Sequence, residues 1–268
     1  MPLPSVVYLY DEPSSPTFIV SDIAAFLKDM LPGLDVLTRK EFFSFHATDL
    51  DELAKELASS KIRGIEGIQD DVEPMYGEIQ FEKNILVRPH RRMMGILYDG
   101  FKLQRVFREA LPENESNLDI AHIAFTNRLF CTYEKGDNRF HARVILCGFP
   151  SLISTTGIIE APAKPKEFYM IKQKYHALGT EPPEKELKAT IEGRFIDYDD
   201  EKLTQALRGY ALQALFYHIT GDPFCEDKEC MLFNAHWQEE LLNAQIVSGQ
   251  LCERHRGLLE EMARGQQG

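Results

Sequence analysis

Four residues of this chain are spaced as a metal chelate. Cys225 and Cys230 form C-x4-C, and Cys252 and His255 form C-x2-H. The connector between the pairs is long enough for one helix. Zinc takes four soft or borderline ligands in a tetrahedron, and two short-spaced pairs bring them together with little loop entropy to offset. The chemistry expected is one structural zinc on three thiolates and an imidazole. The alternative is that the cysteines are small buried hydrophobes and His255 an ordinary helix residue, which leaves the pairing unexplained.

Other residues could contribute to a second site. His236 and Glu240 are four apart, so on a helix they share a face; His236 with Glu239 is a similar pair. His218 ends an apolar helical stripe, where it would complement the helix dipole or join a ligand set. If His218, His236 and Glu240 converged, they would make a relocated hydrolytic metal site. The run Arg88-Pro89-His90-Arg91-Arg92 reads as a solvated turn, with anion binding as the alternative. Cys131 and Cys147 lack paired spacing and are expected to be buried. The chain has no G-x-S-x-G, G-x-x-x-x-G-K-[ST] or G-x-G-x-x-G, so serine hydrolysis and nucleotide chemistry have no warrant.

The elements that must position these residues are legible in outline. Ser5–Tyr10 is a strand, Ser21 caps a helix to Met30 that Pro32-Gly33 stops, and Leu34–Leu37 is a second strand. Asp49–Ser59 is a helix with Leu50, Leu53 and Leu57 on one face. Asn84–Pro89, Met93–Tyr98, Asp119–Phe125 and His141–Cys147 are strand-like. Lys135-Gly136-Asp137-Asn138 is turn chemistry. Ile158–Pro165 is extended and broken by proline, and Thr180–Glu184 is a loop. Asp199 and Asp200 cap a helix to about Ile219, with Gly221 as its stop. Leu203, Leu207, Tyr210 and Ala214 make its apolar stripe. Asn234 caps a further helix to Gln245, and another starts near Cys252.

The segment from Ala214 to His255 resembles the archaemetzincins, zinc peptidases with the pattern H-E-x-x-H-x-x-G-x-x-H-C, then x4-C and finally C-x2-C. His218 matches the second histidine, Gly221 the glycine, Cys225 and Cys230 the first cysteine pair, and Cys252 the first of the last pair. His255 stands where the final cysteine would be. Ala214 replaces the first zinc histidine, Leu215 the general-base glutamate and Phe224 the third histidine. Met231 directly follows Cys230, one position earlier than in the family. Thr126-Asn127-Arg128-Leu129-Phe130 resembles a strand-edge stretch of that family, and Ala142–Ser151 would then lie near the substrate cleft. In this the chain resembles an archaeal set of archaemetzincin-like proteins described as metallopeptidases.

The resemblance implies a zincin-like α+β fold: a mixed sheet packed by helices, with a zinc-stapled helical C-terminal subdomain. The resemblance covers about Leu118 to His255; with the β-α-β-α pattern before it, the chain is expected to have an N-terminal α/β portion over residues 1–117 and a metzincin-like portion over 118–268, or to form one continuous domain. The resemblance also implies that the structural zinc is kept and catalysis lost, because leucine cannot take a proton from water and a catalytic zinc needs three protein ligands. Peptides or protein partners are the expected ligands. The net charge of −12 over 268 residues argues against nucleic acid and anionic membranes. No apolar run approaches a membrane span, and Met1-Pro2-Leu3-Pro4 does not read as a signal peptide. With five cysteines, three in a chelate, the cytoplasm is expected.

Overall fold

The structure is a computed structural model that describes residues 3–65 and 72–264; the expectation attached to Met1 and Pro2 lies outside them. A five-stranded sheet forms the middle layer. Its strands are β1 (Val6–Tyr10), β2 (Val36–Arg39), β4 (Ile120–Thr126), β7 (Ile145–Leu146) and β8 (Ser151–Ser154), in the order β2-β1-β4-β8-β7. β1 lies parallel to β2 and β4, and β4 parallel to β8, whereas β7 closes one end antiparallel to β8. A second sheet of three strands, β3 (Leu97–Asp99), β5 (Leu129–Glu134) and β6 (Arg139–Arg143), has the order β3-β5-β6. The 117/118 boundary falls just before β4, which pairs with β1 in the same sheet.

Successive strand residues point to opposite faces, so each face of the first sheet has its own core. Val7, Leu9, Ile123, Phe125 and Ile153 face α1 (Val20–Met30) and α9 (Leu203–Thr220). Tyr10, Ala124 and Leu152 face α2 (Phe42–His46), α3 (Leu50–Ser59), α4 (Tyr76–Val87) and α5 (Gly100–Glu109). Short α6 (Gly157–Glu160) leads into α7 (Lys166–Ala177) and α8 (Glu184–Thr190). α7 buries none of its residues. α10 (Gln238–Leu242) and α11 (Glu253–Arg264) complete the chain, with a π-helical turn over Asn243–Ser248 between them.

Several local expectations change. Asn84–Val87 belongs to helix α4, because Ile85 and Leu86 pack into the second core at helical spacing. Gly157–Glu160 is helical rather than extended. Residues 139–147 form two strands interrupted at Val144. Ser21 caps nothing: α1 starts after Ile19, whose N–H goes to Thr204 Oγ1 at 2.9 Å, tying α1 to α9. Asn234 caps nothing either. Residues around Trp237 are held extended by a bridge to Ala163, with Ala163 N–H donating to His236 O and Gln238 N–H to Ala163 O, so α10 begins only at Gln238.

α9 is apolar on more than one stripe. Leu203, Leu207, Tyr210 and Ala214 are buried as expected, but so are Ala211, Leu212, Gln213, Leu215 and Phe216. The helix lies between the sheet and the C-terminal elements, so it has almost no solvent face. Gly209 allows this closeness: a Cβ there would lie 1.9 Å from Gln245 Oε1. Gly221 ends the helix in the left-handed conformation, at φ 76°, with its N–H on Tyr217 O.

On the opposite face a polar network is sealed against the sheet. Arg39 makes a two-pronged pair with Glu115 at 2.7 and 2.8 Å and also donates to Tyr10 Oη. His122 Nε2 meets the Glu115 carbonyl at 3.1 Å, so Nε2 carries the proton and Nδ1 accepts from Tyr10 Oη at 2.8 Å. Tyr10 Oη then accepts from His46 Nε2, also at 2.8 Å. Burial pushes the His122 pKa down to about 4. The unfolded chain therefore takes up a proton first as pH falls below about 6.5. Stability should fall by about 3 kcal/mol from this group between pH 6.5 and 4. His122→Gln should flatten that part of the pH profile in thermal melts; an unchanged slope would remove His122 as its source.

Candidate metal centre

The loop after α9 and the start of α11 bring the four expected ligands together. The ligand atoms of Cys225, Cys230, Cys252 and His255 all lie within 4.8 Å of one another. Cys225 Sγ is 3.9 Å from Cys252 Sγ, and His255 Nδ1 is 3.7 Å from Cys230 Sγ and 3.1 Å from Cys252 Sγ. Bond lengths of about 2.3 Å to sulfur and 2.0–2.1 Å to nitrogen put tetrahedral S···S and S···N edges near about 3.8 and 3.5 Å. The cluster fits one tetrahedral ion of that size.

Backbone pairing sets this geometry. Cys225 N–H donates to Leu232 O, and Cys225 and Phe233 form a bridge. Cys230 bridges Gln250, and Met231 N–H donates to Gln250 O, which lays the first cysteine loop beside the second. Cys252 precedes α11 and His255 is in its first turn, so C-x2-H spacing directs both side chains to one point. Two N–H groups aim at sulfur: Asp227 at Cys225 Sγ (3.4 Å) and Cys252 at Cys230 Sγ (3.5 Å). Such donors favour thiolate, the form that binds metal. Without an ion, burial pushes the Cys230 thiol up to about 12 and also raises Cys225. Burial opposes ionisation of Cys252 as well, but N–H groups of His255 and Arg254 and the neighbouring thiols outweigh it and lower its pKa.

Of the positions matched to the catalytic zinc ligands and base, Ala214, Leu215 and Phe224 offer no ligand or base atom. Ala214 is 1% exposed and Leu215 fully buried in the core. His218 is half-buried, and its Nε2 donates to Leu118 O at 2.8 Å. Glu240 accepts from Lys228 Nζ at 3.0 Å and from the His236 N–H at 3.1 Å. Glu239 pairs with Arg194. Among the described residues, the Cys225–His255 group is the one set of three or more His, Cys, Asp or Glu brought within metal-binding reach. His218, His236 and Glu240 are not assembled into another.

A cavity of about 350 Å³ opens beside α9. Residues 142–147, Ala161, Pro162, Tyr210, Phe224 and residues 234–236 wall it. Phe224, at the position matched to the third histidine, therefore contributes an apolar wall. Cys147 is a half-buried wall residue, not a core cysteine, while Cys131 is buried with its thiol on Tyr98 O. The basic run at 88–92 is mostly exposed, with Arg92 paired to Asp199. Arg128 is buried against Glu82, which the sequence did not signal. Tyr210 was also missed as a cavity residue, because a tyrosine within a leucine stripe reads as core; its hydroxyl was the available signal.

No curated protein matches the chain. Among solved structures, the crystal structure of archaemetzincin from Methanopyrus kandleri aligns over 98% of this chain and 96% of that one, at 13% identity and a TM-score of 0.45. No helix among the described residues is long and apolar enough to cross a membrane. A sequence profile described as a probable metallopeptidase family, DUF6775, matches residues 3–262. The chain belongs to that family.

Proposed function

We propose that this chain is a zinc-stapled, catalytically silent member of its family that holds peptide or protein segments in the cavity beside α9. The observation that carries the reading is the replacement of ligand and base atoms by Ala214, Leu215 and Phe224, with Ala214 and Leu215 packed into the core. A water with no metal to acidify it and no carboxylate to deprotonate it does not attack an amide at a useful rate. Three thiols and one imidazole suit zinc, which this site would hold as a closed structural ion with no open position. The thiols must stay reduced, which suits the cytoplasm.

Peptide binding is favoured by the end of the sheet. β7 is its last strand, and Ser154 N–H donates to Val144 O. In an antiparallel ladder the next residue, Ile145, then turns its N–H and C=O away from β8. Ile145 also lines the cavity. An extended segment could add there as a strand. The alternative, a working hydrolase on His218, His236 and Glu240, lacks support because these three are not gathered within metal-binding reach among the described residues, while His218 Nε2 is held by Leu118 O and the Glu240 carboxylate by Lys228.

The test is metal content with turnover. Protein purified without added metal should carry one zinc per chain and show no chelator-sensitive cleavage of general peptide substrates. Two metals per chain together with chelator-sensitive cleavage would overturn the proposal. A substitution probes the same point: Ala214→His should cost about 1–3 kcal/mol by overpacking and gain no metal. A neutral variant with a second bound zinc would show that the position opens on the cleft.

A further inference from the structure

The three thiols of the metal cluster do not meet solvent equally. Cys230 and His255 are buried, whereas Cys225 and Cys252 are both half-buried. The two reachable sulfurs are also neighbours, 3.9 Å apart. They come from separate pieces of chain, Cys225 from the loop after α9 and Cys252 from the residue before α11. A disulfide sets its sulfurs about 2.05 Å apart, so this pair starts close to bonding distance. The other two cysteines have no such arrangement. Cys131 is buried with its thiol on Tyr98 O, and Cys147 shares its cavity walls with no second cysteine.

A ligand set of this kind holds its sulfurs as thiolates, the form that reacts with peroxides. An oxidant arriving from solvent reaches Cys225 or Cys252 before Cys230, and finds the second half-buried sulfur beside the first.

We propose that Cys225 and Cys252 are a peroxide-sensitive pair: hydrogen peroxide joins them in a disulfide, and the cluster gives up its zinc. This rests on the reading of the cluster as a zinc site. The thiolate that meets peroxide first attacks one of its oxygens. An S–O bond forms, the O–O bond breaks and hydroxide leaves, so the sulfur becomes a sulfenic acid. The second thiolate then attacks that sulfur. The S–S bond forms, the S–O bond breaks and a second hydroxide leaves. Two electrons pass from the pair of sulfurs to the peroxide. Cys230 and His255 are left as two ligands where there were four, so the ion is lost to solvent and the layer packed on α9 loosens.

The probe is hydrogen peroxide added to the full-length, zinc-loaded protein, with a weak colorimetric indicator that takes up zinc only once it is released. Trypsin with glutamyl endopeptidase places Cys225, Cys230 and Cys252 on three separate peptides. Peroxide should release all the zinc, with one peroxide consumed per ion, and lower the melting temperature. Mass spectrometry should find the Cys225 and Cys252 peptides linked and Cys230 still open to alkylation. A thiol reductant with added zinc should restore both metal and melting temperature. Zinc retained at peroxide levels that already oxidise Cys147 would overturn the proposal. So would zinc loss with Cys230 in the disulfide, or with sulfinic acid and no disulfide. Protein that takes up no zinc at all would remove the metal reading and this inference together.

Discussion

Cys230→Ala should lower stability by more than about 4 kcal/mol and abolish metal binding, an effect of the size reserved for loss of a metal site. Cys230 is fully buried, bridges Gln250 through its backbone and presents its sulfur to the Cys252 N–H. With a metal in place it would link the loop after α9 to the start of α11. Losing that ligand leaves two thiols and an imidazole without their common partner, in the layer that packs on α9. Chelation of the wild-type protein should destabilise it by a similar amount, and chelator should do little more to Cys230→Ala. Thermal melts with and without chelator, alongside metal analysis, measure both legs. If the site holds no metal, Cys230 is only a small packed side chain, the substitution costs about 1 kcal/mol and chelator has no effect.

Glu82→Ala should cost about 3–5 kcal/mol, because it strands a buried guanidinium. Glu82 is fully buried. Its Oε1 accepts from Lys61 Nζ and Tyr98 Oη, both at 2.7 Å, and its Oε2 accepts from Arg128 at 3.1 Å. Burial works against its charge, but Arg128 and Lys61 outweigh that and hold its pKa below the ordinary value. Its stabilisation is present above about pH 4.5 and lost as pH falls through the lowered value. Arg128 Nε already lacks a hydrogen-bond partner, so without Glu82 the guanidinium keeps mainly the faces of the Phe43 and Tyr98 rings beside it. Glu82→Gln keeps the shape without the charge and should cost less. Urea denaturation at pH 7 ranks the two; a loss under about 1 kcal/mol for Glu82→Ala would reduce the trio to the weight of a surface pair.

The gathering of Cys225, Cys230, Cys252 and His255 was legible in the sequence because its geometry is local: each pair lies within five positions, and a turn or helix start is enough to aim it. The β-α-β opening and the α9 stop at Gly221 were legible for the same reason. Glu82 and Arg128 are 46 residues apart and Tyr10 and His122 are 112 apart, and no periodicity reports such contacts. The Asn84–Val87 error has a related cause. Its apolar run suits a strand or a buried helix equally; packing of Ile85 and Leu86 beside Glu82 decides for the helix. Asn234 had the right type for a cap, but the bridge between Ala163 and Trp237 claims the backbone where the helix would have begun.

The separation of contacts along the chain also orders events in time. The central sheet depends on pairing β1 with β4, and Ser5 meets Asp119 across 114 residues, whereas Cys230 and Cys252 meet across 22. Closing the longer loop costs about 1.5 kcal/mol more in chain entropy, before any strand contact repays it. Short loops close first and long-range strand pairing is slow. If the cluster takes up zinc, it would act as a folding template: zinc present at the start of refolding should capture residues 225–255 early and fix one wall against which α9, and then the sheet, can assemble. In stopped-flow refolding, zinc added after the slow phase should fail to reproduce the rate obtained with zinc present from the outset.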